Sequence, residues 1–64
     1  MITVNGDSRE FLDEPIASLL ERMAIDTRGV AVAVDGDVIR RAEWLTTRVH
    51  DGAKIEIVTA VAGG

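Results

Sequence analysis

A single amphipathic helix, with no second helix to cover it, constrains this chain more than any other feature. Ile16, Leu19, Leu20 and Met23 fall at i, i+3, i+4 and i+7, an apolar stripe opposite Ser18, Glu21 and Arg22. Asp13 or Glu14 is placed to cap the helix start, and Pro15 is tolerated in a first turn, where its missing N–H would be unpaired anyway. A lone helix this apolar must bury its stripe on a sheet. Strands for that sheet are legible on both sides of it. Ile2 and Val4 share one face before Asn5-Gly6, the strongest short hairpin signal, and Ser8 to Leu12 offers the return strand. Gly29 closes the exit loop. Val30, Val32 and Val34 then form one face of a third strand, with Ala31 and Ala33 on the other. Asp35-Gly36 turns the chain into a short strand at Val38-Ile39. Residues 40–52 read as irregular, with one helical turn around Glu43-Trp44. Asp51-Gly52 leads into a last strand in which Ile55, Ile57 and Thr59 oppose Lys54, Glu56 and Val58.

The spacing predicts an α+β domain over residues 1–60, a mixed four- to five-stranded sheet packed on one main helix. Residues 61–64 are expected to form a flexible Gly-Gly tail. The first and last strands are expected side by side and parallel, because the long path between them permits the crossover that parallel pairing needs. With 64 residues, the core sits near the lower limit for folding without a metal or disulfides.

Composition narrows the function classes. Without cysteine the chain cannot hold a disulfide, bind zinc through thiolates or carry sulfur as a persulfide. A net charge of −4 opposes direct binding of nucleic acid, since phosphates would be repelled, and suits a basic partner surface. The longest apolar run, Val30 to Val34, is far too short to span a bilayer, so no membrane role is expected. Met1-Ile2-Thr3 lacks the basic start of a signal peptide, which makes a cytoplasmic location the expectation.

An ordinary active site is hard to assemble from these residues. His50 has only its neighbour Asp51 in view and reads as a solvated loop residue. Asp13-Glu14 and Asp35/Asp37 read as capping and turn residues. No phosphate-binding loop occurs, and no metal site is expected. Arg40-Arg41 reads as solvated or facing a partner. Trp44 has two readings, a lid over the edge of a small core or a partner anchor, since tryptophan is enriched at binding hot spots. What remains is the end of the chain. Gly63-Gly64 follows an apolar strand, and two glycines at a given place arise by chance in roughly one chain in two hundred. The reactive group of such an end is the backbone carboxylate of Gly64. The chain is therefore not expected to be an enzyme with an ordinary active site, and the Gly64 carboxylate is its best candidate for chemistry.

The second half carries a more specific pattern. Val32-Ala33-Val34-Asp35-Gly36, Arg41-Ala42-Glu43-Trp44, Thr46-Thr47-Arg48, Asp51-Gly52 and Ile55-Glu56-Ile57-Val58-Thr59-Ala60-Val61-Ala62-Gly63-Gly64 resemble the ThiS family, the sulfur carriers of thiamine biosynthesis. The resemblance covers nearly the whole chain, and the Glu43-Trp44 pair and the ending are its specific parts. Arg40 stands where a proline often occurs in that family, and Ala42 where a serine is common.

The resemblance implies a ubiquitin-like β-grasp fold and a carrier activated at Gly64. A ThiF-like adenylyltransferase would use ATP to adenylate the Gly64 carboxylate, with no cofactor bound by the carrier itself. A persulfide donor supplied by a cysteine desulfurase would convert the adenylate to a thiocarboxylate, and a ThiG-like thiazole synthase would take the sulfur. Val61, Ala62 and Gly63 would thread the partner's active site, glycine being suited to a narrow channel. Ala31, Ala33, Trp44 and Val58 are the expected docking residues. Carriers for molybdopterin synthesis or tRNA thiolation, and ubiquitin-like modifiers, share the fold and tail. The Trp44 segment and Thr59-Ala60-Val61 favour thiamine among them.

Overall fold

Two β-hairpins flank one central strand in the computed structural model of this chain, which describes residues 1–59. The elements run β1 (Ile2–Val4), β2 (Asp7–Arg9), α1 (Ile16–Arg22), β3 (Val30–Val34), β4 (Asp37–Ile39), a 3-10 turn (Arg41–Glu43) and β5 (Lys54–Thr59). They form one sheet in the order β2-β1-β5-β3-β4. β5 is parallel to β1, with Val4 beside Ile55, as the sequence predicts. It is antiparallel to β3 from Val34 beside Ile55 to Val30 beside Thr59. Both hairpins turn on a positive-φ pair, Asn5-Gly6 (52° and 87°) and Asp35-Gly36 (52° and 88°), the backbone that a two-residue type I′ turn requires. The expected domain boundary at residue 60 and the tail at 61–64 lie outside the described residues.

The helix stripe goes where the periodicity puts it. Ile16, Leu19 and Leu20 are buried with Ile2 and Val4 of β1, Val32 of β3 and Ile55 of β5, and Trp44, Val49 and Ala53 complete the core. Met23 is only partly buried, because α1 ends at Arg22 and Met23 is its C-cap. The helix exit uses Ala24 at φ 56°, with Ala24 N–H bonded to Glu21 O and Ile25 N–H to Leu20 O. That is a Schellman closure with alanine where glycine is usual. Among the described residues no helix is long and apolar enough to cross a membrane.

Two local expectations need correction. β2 covers Asp7–Arg9 rather than Ser8 to Leu12, because the chain must leave the sheet edge to reach the helix start, and Phe11 turns toward the core on the way. Neither Asp13 nor Glu14 caps α1. Pro15 is the N-cap residue, without a side-chain cap bond, while Asp13 pairs with Arg48 and Glu14 with Arg22. The unpaired donors of the first turn are met from a distant loop instead: Ile16 N–H donates to Thr47 O at 2.9 Å and Ala17 N–H to Trp44 O at 3.0 Å. The irregular stretch after the 3-10 turn is thus the cap of the helix.

Candidate functional site

Everything that could present the chain's end is organised around β5. It is the central strand, paired with β1 on one flank and with β3 on the other, and Ile55, its second residue, is fully buried in the core. Gly64, the expected modification site, and Val61, Ala62 and Gly63, the expected threading residues, lie outside the described residues.

Both hairpin turns grip β5 through their first residue. Asp35 Oδ1 accepts Lys54 N–H at 2.9 Å, and Asp35 N–H donates to Lys54 O at 2.8 Å. From the other flank the Asn5 side chain bonds both backbone groups of Ile57. Sequence reading treats Asn5 and Asp35 as turn residues only. Their hold on β5 is made between residues 52 and 19 positions apart, so no local signal announces it.

Three of the four expected docking residues come together. Alternation along β3 and β5 sends Val32 and Ile55 inward and leaves Ala31, Ala33 and Val58 on the opposite face. Ala31 sits directly beside Val58, and Ala33 beside Val38. With Gly36 and Glu56 they line one shallow depression. Val38 (71% exposed) and Val58 (59% exposed) are the large apolar side chains in it.

Trp44 does not belong to this face, and its reading as a partner anchor is corrected. It is 6% exposed, and its Nε1 donates to Ile39 O at 3.0 Å, so its apolar ring and polar edge are both satisfied inside the protein. It is the lid of the core. Arg41 stacks over its ring, 4.9 Å from the centroid, and donates to Thr27 O. Arg40 precedes the 3-10 turn at φ −70°, an angle that a proline would also hold.

His50 is paired, contrary to its reading as a loop residue without a partner. Its Nε2 lies 2.7 Å from Asp35 Oδ2, and Nδ1 lies 3.0 Å from Asp51 O. A protonated ring donates at both positions. The Asp35 hydrogen bond, then the Asp51 carbonyl, raise the His50 pKa above its ordinary value. Asp35 is held low by the Lys54 amide first and His50 second. A raised folded-state pKa means stability present below the unfolded value of about 6.5 and lost as pH rises through the folded one. The melting-temperature advantage of the parent over His50→Gln is therefore expected to shrink as pH rises above the unfolded value of about 6.5. A difference that stays flat over that rise removes the His50–Asp35 pair as a contributor.

A five-stranded mixed sheet in this order, closed on one helix and leading through its central strand to a Gly-Gly sequence, defines a ubiquitin-like β-grasp protein. The chain belongs to the ThiS family, whose model matches residues 2–64. The chain is 28% identical to the sulfur carrier protein ThiS of Thermus thermophilus, over the whole length of both. It is 31% identical to a thiazole synthase of Paramagnetospirillum magneticum, over 98% of this chain but only 20% of that protein. A crystal structure of the thiamine biosynthesis protein ThiS from Geobacter metallireducens superposes with a TM-score of 0.87 at 27% identity, covering 98% of this chain and 97% of that one.

Proposed function

We propose that this chain is a sulfur carrier for thiamine biosynthesis, its Gly64 carboxylate being adenylated, converted to a thiocarboxylate and spent on thiazole formation. The observation that carries this reading is a family match that runs through residue 64 and so includes both terminal glycines. The chemistry has a physical logic. A carboxylate is ionised at neutral pH, with a usual pKa of about 3.3–3.7, and resists nucleophilic attack. Attack of that carboxylate on the α-phosphate of ATP, in a partner adenylyltransferase, expels pyrophosphate and leaves AMP as a good leaving group on the acyl carbon. A persulfide then displaces AMP, and a second thiol splits the resulting acyl disulfide to release the thiocarboxylate. With no cysteine in the chain, the Gly64 acyl group is the one evident place to hold sulfur covalently.

Thiazole synthase as the acceptor is supported by the P. magneticum protein of that name, which contains a stretch similar to nearly all of this chain. Incubation with ATP, the adenylyltransferase and a persulfide source is expected to change the intact mass by one oxygen replaced with sulfur. An unchanged mass in the presence of a competent activating enzyme overturns the proposal.

The depression lined by Ala31, Ala33 and Val58 is the proposed docking face for the adenylyltransferase. Val58→Asp sets a charge in its lining, where docking would desolvate it. The expected loss is about 1–3 kcal/mol, roughly tenfold or more in Kd. Unchanged affinity by titration calorimetry, with the fold intact, removes Val58 from the interface.

A further inference from the structure

β1 stops at Val4, yet β5 continues to Thr59. On the β1 flank, Asn5 N–H still reaches Ile55 O at 2.9 Å. Two residues further along β5 the partner strand has run out, and the Asn5 side chain takes its place. Its Nδ2 donates to Ile57 O at 3.0 Å, and its Oδ1 accepts Ile57 N–H at 2.8 Å. A carboxamide offers the same donor and acceptor as a backbone unit, so one side chain extends the ladder beyond the end of its strand. The geometry depends on Asn5 standing at φ 52°, a conformation that asparagine tolerates better than most residues. Without this pair, β5 beyond Ile55 would be held on its β3 flank alone.

We propose that Asn5 is a positioning residue for the carrier reaction, fixing the heading of β5 at Ile57 and with it the place and direction in which the folded body hands over to the C-terminal segment. The inference rests on the carrier reading above. Asn5 touches no reacting atom. It acts because a strand clamped on both flanks holds one direction, and transfer between proteins is sensitive to small errors of orientation.

Two substitutions separate this role from simple stabilisation. Asn5→Gly keeps the positive φ and deletes both bonds. Asn5→Asp keeps an acceptor for Ile57 N–H but sets a carboxylate against Ile57 O. With the adenylyltransferase, ATP and a persulfide source, kcat for thiocarboxylate formation is expected to fall in the order parent, Asn5→Asp, Asn5→Gly. The drop for Asn5→Gly is about tenfold, with KM for the carrier moved by less than about twofold. Amide exchange at Ile57 reports the lost bonds independently of activity and is expected to speed up in Asn5→Gly. Faster exchange with parental kcat makes Asn5 merely structural and overturns the inference, as does a rise in KM with kcat held. A parent protein that forms no thiocarboxylate fails differently, since it overturns the carrier reading itself.

Discussion

Adding a single alanine after Gly64 is expected to abolish thiocarboxylate formation and the supply of thiamine. One residue moves the terminal acyl carbon by up to about 3.5 Å along an extended chain. Phosphoryl attack needs that carboxylate within near-contact distance of the ATP α-phosphate, and a misplacement of about 1 Å already costs on the order of a hundredfold in rate. The added Cβ would also have to enter the narrow partner channel that the carrier proposal assigns to the glycine end. Two measurements check this: intact mass after single-turnover incubation with ATP and the activating enzyme, and rescue of a carrier-deficient strain on medium without thiamine. Activity equal to the parent in both would end the carrier proposal. A purely structural or binding module would tolerate the addition, which separates that class cleanly. A ubiquitin-like modifier would fail as a carrier does, but it would leave its acyl group on a target amine rather than gain sulfur.

The second large effect concerns the body. Leu19→Ala and Leu20→Ala are each expected to bring the domain close to unfolding. Leu19 is fully buried and Leu20 is 1% exposed, both within the one core. Truncating a buried leucine costs about 2–5 kcal/mol once the cavity is counted. A core in a chain this short rarely supplies more than about 3–5 kcal/mol in total. Loss and reserve are of the same size, so urea denaturation should show little or no folded baseline for either variant. A variant as stable as the parent by far-UV circular dichroism would remove α1 from the core. The consequence reaches function, because α1 packs in one core with β5, and a body that does not hold β5 cannot aim the chain's end.

How much of this was legible beforehand differs by element. The stripe Ile16, Leu19, Leu20 has a local cause, a 3.6-residue period, and it appears in the structure where the period places it. The Asn5-Gly6 and Asp35-Gly36 turns are equally local, since positive φ is a property of those residues and not of their surroundings. Alternation along β3 and β5 placed Ala31, Ala33 and Val58 on one face, and the pairing of Ala31 with Val58 joined them. Trp44 shows where local reading stops. Its side chain suits an interface or a core equally well, and only the carbonyl of Ile39 and the surrounding apolar residues decide between them.

Residues close in sequence therefore determined the elements of this protein, their order and the chemistry its glycine end can offer. Tertiary structure alone decided the contacts made across long separations. The first turn of α1 is capped by carbonyls of Trp44 and Thr47, His50 is joined to Asp35, and Asn5 is joined to Ile57. The reason is physical: period and turn propensity act over a few residues, whereas a hydrogen bond needs a partner, and folding brings that partner from anywhere in the chain.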